Sequence, residues 1–391
     1  LTGEGQLVES CQEEGQEVVV ILDRSPFYGE AGGQVGDSGS LQHDDFQVEV
    51  VDTQRDGELL LHHGRLLSGT IQSGETVTAE VDEMVRDGIR RAHSATHVLH
   101  YALQKELGSH AQQQGSKVDD DVLRFDFTNL EPVSAEQLAQ IEKDVIERVE
   151  RGEQIQWNTV PLAEARASGA MMLFGEKYPD PVRVVSMGEF SQELCGGTHL
   201  ENTAGIGSFE VISEEGVAAG TRRITALTGE KAAAHARQVV GELEKVTELL
   251  GVAAAEVPEA ARQLASQVRE LKKRIASGGG MTDEASGSEE TSGQLPENDY
   301  LAVRTTLRET ARLLNVGVFD VSGRLSSLHA EIVQLREELE QMKSSAQVSA
   351  DELLEMAEDF DSARGIIQLV EGSNPDIMRR LIDQLRKKED S

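Results

Sequence analysis

Two short stretches, HSATH at residues 93–97 and CGGTH at residues 195–199, place metal-binding side chains in matched pairs about a hundred residues apart. His93 and His97 fall at i and i+4 of a helical pattern, so both imidazoles leave the same face of one helix. Cys195 and His199 repeat the spacing across two glycines. Only a fold that brings a helix face against a glycine-containing turn can use all four. One thiolate and three imidazoles suit a tetrahedral zinc ion, and the soft sulfur argues against magnesium or calcium. Cys11 is the sole other cysteine, so no disulfide framework competes for Cys195.

Other readings of the same residues stay open at this level. His100 lies on the face of His93 and His97 and could replace one of them. Cys195 could act as a nucleophile with His199 as its base. Zinc-protease chemistry is unsupported, because Ser94 stands where that motif carries its glutamate. Four protein ligands describe a closed, structural zinc, whereas a catalytic one keeps a position for water or substrate.

The chain has 391 residues, of which 38% are hydrophobic, enough for two or three domains with their own cores. No apolar run reaches the roughly 18 residues of a membrane span, and the start lacks a signal-peptide layout. A reducing, cytoplasmic setting and no membrane partner are expected. The first residue is Leu1 and not Met, so the sequence reads as a piece of a longer protein. Thirty-seven basic against seventy acidic residues give a net charge of −33. That balance opposes non-specific affinity for a phosphate backbone and excludes general DNA binding. An RNA partner would have to be held by a local basic surface and an end-recognising pocket.

Periodicity predicts an α+β chain. Residues 1–84 read as a small antiparallel β unit, expected to be a barrel, with strands in 16–23, 46–52 and 75–82. The glycine-dense stretch FYGEAGGQVGDSG, residues 27–39, is either a surface loop or a loop whose backbone approaches a ligand closely. Residues 85–229 form the expected zinc-binding core, with helices in 91–108 and 134–152 and strands in 122–128, 182–187 and 208–216. A first helical unit is predicted over 230–276, an acidic Gly/Ser linker over 277–299, and a second helical unit over 300–348. A truncated α/β domain follows at 349–391, with a strand in 365–372 and a helix after Pro375.

The two helical units match each other at a shift of 64 positions. Leu249, Leu250, Val252, Val257, Leu264 and Leu271 fall on Leu313, Leu314, Val316, Val321, Leu328 and Leu335, and Val268 falls on Ile332. Duplication of a helix unit accounts for identities that continue through the turn region. Each unit carries a short coiled-coil seam, which could extend an arm or join two copies of the chain into a homo-oligomer.

The stretches FYGEAGGQVGDSG, HSATHVLHYALQKELG, QGS with LRFDF, LFGEKY, VRVV, ELCGGTH and AAGTRRITALTG, in that order, closely resemble the editing region of the alanyl-tRNA synthetases. The helices and tail resemble the start of that family's C-terminal domain. The resemblance implies hydrolysis of the ester in tRNA(Ala) mischarged with serine or glycine, with Zn2+ bound by His93, His97, Cys195 and His199. It implies that Thr96, Gln113 and Ser116 line the pocket that selects the amino acid and that Gly32 and Gly33 face it. Ser94 stands where threonine is usual, and the helical unit occurs twice where one is expected. Arg222 and Arg223 either contact tRNA phosphate or pair with local carboxylates, and Lys177 is equally ambiguous. The aminoacylation half with its ATP site is absent from these residues, so alanine activation is not expected of them. A free-standing editing protein, or a non-catalytic zinc-stabilised tRNA-binding or oligomerising module, would share much of this pattern.

Overall fold

A computed structural model describes residues 7–172, 178–277, 300–345, 350–360, 363–368 and 375–389. It is a mixed α+β chain that divides into two compact units, Leu1–His235 and Ala236–Ser391.

The first unit opens with strands β1 (Ser10–Cys11), β2 (Glu17–Ile21), β3 (Gly39–His43), β4 (Phe46–Asp56), β5 (Leu59–Gly69), β6 (Ile71–Gln72) and β7 (Thr78–Val81). Five of them form an antiparallel sheet in the order β2-β5-β4-β3-β7, and β1 pairs separately with β6. Among the described residues β2 and β7 do not pair with each other, so backbone hydrogen bonds do not close the expected barrel. Along β4 the alternate residues Phe46, Val48 and Val50 are buried, as period-two patterning requires for a sheet with one covered face.

Helix α1 (Glu83–Leu107) follows, starting eight residues before the periodicity predicts. Asp82 caps it, accepting from the backbone N–H groups of Met84 and Val85, and Gly108 ends it at φ 108°. Its middle runs through the main core: Ile89, Ala92, Ala95, Val98, Leu99, Ala102 and Leu103 are fully enclosed. Strands β8 (Gln113–Asp119) and β9 (Val122–Thr128) come next, then α2 (Ala135–Arg151), which has the predicted capping box of Ser134 and Gln137. After β10 (Ile155–Val160), the short α3 (Leu162–Ala167), β11 (Val182–Met187) and β12 (Ser191–Leu194) lie β13 (Phe209–Ala218) and β14 (Thr221–Thr228). Two antiparallel sheets result, β13-β14-β9-β8 and β10-β11-β12. Phe125, Phe127, Leu123 and Ile224 of the first face α1 and α2 in one continuous core.

Residues 27–39 tie the β unit to this core. Glu30 bridges Gln54 of β4, and Gln34 bridges Val118 of β8. Asp37, fully buried, accepts from the Tyr28 N–H and pairs with Arg86 of α1, whose guanidinium also donates to Pro26 O at 2.7 Å.

Helix α4 (Gly229–Leu250) leads to α5 (Val257–Ala276), and α6 (Tyr300–Leu314) leads to α7 (Val321–Ser345). Each pair is joined through a 3-10 turn, Ala254–Glu256 in one and Val318–Asp320 in the other, and the end of the first helix, the turn and the start of the second helix differ between the pairs by the 64 positions seen in the sequence. The residue after the first helix of each pair is left-handed in both, Gly251 at φ 67° and Asn315 at φ 55°. Leu264, Val268, Leu271, Leu328, Ile332 and Leu339 belong to one cluster shared by all four helices, so the seams pack into a common bundle core. Lys272 and Glu331 join α5 to α7 at 2.6 Å.

The tail holds α8 (Ala350–Glu355), a hairpin of β15 (Glu358–Phe360) and β16 (Ala363–Gly365), and α9 (Pro375–Glu389). Of the strand expected at 365–372, residues 366–368 lie outside any strand, and 369–372 lie outside the described residues.

The bundle core separates two aliphatic residues of α7. Leu328 is buried and Val333 is 56% exposed. Leu328→Ala should therefore cost about 2–5 kcal/mol, and Val333→Ala should stay within about 0.5 kcal/mol, in urea unfolding followed by far-UV circular dichroism.

Candidate metal and ester-hydrolysis site

The four predicted ligands converge. Ligand atoms of His93, His97, Cys195 and His199 all lie within 4.8 Å of one another, and the three histidines are buried. Cys195 Sγ is 3.4 Å from His93 Nε2 and 3.3 Å from His199 Nε2. A tetrahedral zinc with bonds of about 2.0–2.1 Å to nitrogen and about 2.3 Å to sulfur would set that edge at about 3.6 Å. Among the described residues, the buried Nε2 of His97 has no hydrogen-bond partner. An orphaned ring nitrogen enclosed beside a thiol and two imidazoles fits a zinc ligand set.

Each imidazole is oriented by a partner on its far side. His93 Nδ1 donates to Gln34 Oε1 at 2.7 Å, and that oxygen also accepts from the Thr198 N–H at 2.8 Å. His97 Nδ1 lies 3.0 Å from the Glu193 carboxylate, and His199 Nδ1 lies 3.5 Å from Ser94 Oγ. With every Nδ1 so engaged, the Nε2 atoms are the ones left to the ion, the arrangement in which an outer partner fixes the tautomer. Glu193 and Gln34 carry no ligand spacing and escape a reading by pattern. Their signal is that each sits inside a motif carrying the family resemblance, ELCGGTH and GGQVG.

Burial alone would raise the Cys195 thiol, but His93 and His199 beside it hold it well below its ordinary value, in the thiolate range a metal requires. Burial, reinforced by the neighbouring His93, pushes His199 down to about 3, so it is neutral and able to ligate. His97 goes the other way: burial lowers it, and the Glu193 carboxylate overcomes that and lifts it to about 10. Glu193 itself is held below the carboxylate range, burial being outweighed by His97 and His100. A zinc ion bound here would have to displace the His97 proton, so its apparent affinity would fall as the pH is lowered.

His100 stands outside the quartet. Its Nδ1 is 3.6 Å from Glu193, its Nε2 accepts from Gln104 Nε2 at 3.1 Å, and its ring rests against Phe125.

The turn carrying Cys195 and His199 is shaped by close approach. A Cβ on Gly197 would lie 2.0 Å from His93 Cε1. Arg183 of β11 holds the turn from outside, donating to Cys195 O at 3.0 Å and Gly197 O at 2.6 Å. Gly33, at φ 85°, presses against Ser116 so closely that a Cβ would sit 2.4 Å from its carbonyl oxygen; Gly32, at φ 58°, has open space around it. Ser116 Oγ accepts from Gln113 Nε2 at 3.1 Å, and Thr96, buried on α1, donates its hydroxyl to Ala92 O at 2.8 Å. Contacts therefore run from Gln113 through Ser116 and the glycine loop to His93.

The two arginines are engaged locally. Arg222 forms a two-point pair with Glu214 at 2.5 and 2.7 Å, and Arg223 forms one with Asp126 at 2.6 and 2.7 Å. Of the two open readings, this geometry is that of carboxylate pairing. Lys177 lies outside the described residues. No described helix is long and apolar enough to cross a membrane.

Comparison with known proteins gives two family matches, tRNA synthetases class II (A) over residues 1–85 and the threonyl and alanyl tRNA synthetase second additional domain over residues 182–225. The second takes in Cys195 and His199. An alanine–tRNA ligase of Rhodopirellula baltica is 48% identical over 396 residues, covering 99% of this chain. The chain belongs to the alanyl-tRNA synthetase family. A second alanine–tRNA ligase, from Acidithiobacillus ferridurans, is 50% identical over 264 residues and 67% of this chain. The chain spans 42% and 30% of the lengths of these two synthetases. Because the first alignment takes in nearly the whole chain, it extends over the helical units as well as the histidine–cysteine cluster.

Two substitutions test the ligand set without touching a ligand. Glu193→Gln should weaken zinc binding about 10- to 100-fold in competition with a chelator, the usual effect of losing an outer partner. Gly197→Ala should lower the bound zinc per chain by displacing the His93 ring, read by elemental analysis beside an unchanged circular dichroism spectrum.

Proposed function

We propose that this segment is an aminoacyl-tRNA deacylase. It hydrolyses the ester of tRNA(Ala) mischarged with serine or glycine, and the longer synthetase that contains it joins alanine to tRNA(Ala) with ATP. The observation that supports this most directly is the oriented quartet of His93, His97, Cys195 and His199, set against the glycine loop in a chain of the alanyl-tRNA synthetase family. Zinc held there would supply Lewis-acid polarisation of an ester carbonyl and stabilisation of the oxyanion.

The chain's own residues supply orientation and selection. Glu193, Gln34 and Ser94 fix the imidazole planes, and Arg183 fixes the turn. A water attacks the ester carbonyl carbon, the bond to the ribose oxygen breaks, and the ribose hydroxyl leaves with a proton. Thr96 commits its proton to Ala92 O and so meets a substrate hydroxyl as an acceptor. Ser116 Oγ accepts from Gln113 and keeps its own proton to donate. A serine ester satisfies such groups; an alanine ester leaves them unpaired, the kind of mismatch that discriminates far more strongly than an apolar pocket. Glycine lacks this hydroxyl as alanine does, so the selection by Thr96 and Ser116 applies to the serine ester alone.

The closed shell of four protein ligands favours a second reading, a structural zinc in a non-catalytic tRNA-binding module. Hydrolysis separates the two. The purified zinc-loaded protein should deacylate Ser-tRNA(Ala) and spare Ala-tRNA(Ala). Cys195→Ala should lose zinc and lower the rate by about 10²-fold or more, the scale of losing a preorganised electrostatic stabiliser. Stoichiometric zinc without hydrolysis would discard the deacylase reading in favour of the structural one.

A further inference from the structure

Trp157 is the single tryptophan of the chain, and it is 46% exposed on β10, the edge strand of β10-β11-β12. A large aromatic left this open on a soluble surface calls for a partner, because indole burial is among the most favourable of all side-chain burials. One side of the ring is covered: the Arg183 guanidinium carbon lies 5.0 Å from the ring centroid. The remaining exposure leaves the rest of the indole to solvent. Thr159, two residues on and so on the same face of the strand, is exposed and pairs with Arg183 in the sheet; its hydroxyl is able to hydrogen-bond a base edge or a ribose.

The position of this platform is fixed by the metal turn. The same Arg183 that stacks on Trp157 donates to the carbonyl oxygens of Cys195 and Gly197. The indole is thus one side chain away from a candidate metal ligand, and rigidly so, since the guanidinium is held by two hydrogen bonds and a ring face. An arginine between an aromatic face and a site for an RNA ester also supplies local positive charge in a chain whose net charge is −33.

We infer that Trp157 is a nucleobase-stacking subsite, taking a base of the single-stranded 3′ end of the tRNA while the aminoacyl ester lies at the metal turn. The ligand class follows from the chemistry: a flat, open aromatic face beside a guanidinium recognises another π face, and stacking is tolerant of base identity. An unpaired 3′ end presents such bases, whereas a duplex hides them. The inference rests on the deacylase reading, which brings the 3′ end to this turn.

The lone tryptophan is its own reporter. Uncharged tRNA(Ala) with an intact 3′ end, titrated into the zinc-loaded protein, should quench the indole fluorescence saturably, and the same tRNA lacking its last three nucleotides should not. Trp157→Ala should weaken tRNA binding in filter retention by about 5- to 150-fold, the range for losing one stacked base, and should raise KM for Ser-tRNA(Ala) correspondingly with bound zinc unchanged. Trp157→Phe should recover most of that loss, which a merely structural role for the indole would not predict. Unchanged fluorescence at saturating tRNA, or Trp157→Ala binding within twofold of wild type, overturns the subsite. So does an absence of any tRNA binding. If tRNA binds and quenches but Ser-tRNA(Ala) is not hydrolysed, the stacking subsite stands and the deacylase reading falls.

Discussion

Everything at the site depends on keeping the Nε2 atoms of three enclosed histidines turned towards one thiolate. Three imidazoles and a sulfur brought this close out of water would repel or cross-protonate without an ion to share. The protein resolves this by assigning each Nδ1 elsewhere: Gln34 for His93, Glu193 for His97, Ser94 for His199. Those partners come from the glycine loop, from the end of β12 and from α1 itself. The quartet is therefore held by the junction of three segments, and the long glycine loop is a structural member of the site through Gln34.

That junction explains where the glycines stand. Gln34 can reach both His93 and Thr198 only because Gly197 leaves no Cβ in the way and Gly33 lies flat on Ser116. The loop's other end is pinned by the buried pair of Asp37 and Arg86. Removing one member of such a pair leaves an uncompensated charge, a penalty of about 3–5 kcal/mol, so the loop is anchored far more firmly than its glycine content implies. The same economy recurs in Arg91 with Asp121, Arg222 with Glu214 and Arg223 with Asp126. In so acidic a chain these half-buried arginines are matched to carboxylates within the fold, which is why sequence position alone does not mark them as RNA contacts.

What the sequence reveals follows from how local each determinant is. The i, i+4 histidines and the CGGTH turn are readable because ligand spacing is a local pattern. Strand β9 and helix α2 are readable to the residue or nearly so, since alternation in one and the Ser134 box in the other are local too. Helix α1 begins earlier than its pattern because its first turns are mostly polar, held by the Asp82 cap and by ion pairs of Arg86 and Arg90, with only Val85 and Ile89 reaching the core. Strands β3 and β5 carry turn-forming or histidine-rich stretches and owe their state to the partners that flank them in the sheet. Gln34 and Glu193 are decided entirely by tertiary contact. A lone glutamine in a glycine loop gives no hint that its oxygen receives two donors from segments far away in sequence.

The duplicated helices show how a local rule can survive while its residues change. Gly251 and Asn315 occupy the same place in the two copies, and both are left-handed. Asparagine is among the few side chains that accept this region at modest cost, so the helix end, the 3-10 turn and the start of the next helix keep their spacing after glycine is replaced. Ala261 and Leu325 are likewise equivalent and both fully enclosed, although they differ by several carbons. Two copies packing against each other in one core can exchange small for large at matched positions, because each fills space that the other leaves. Ala261 and Leu325 lie in the same core cluster, so the unequal volumes of the two copies are accommodated within one shared interior.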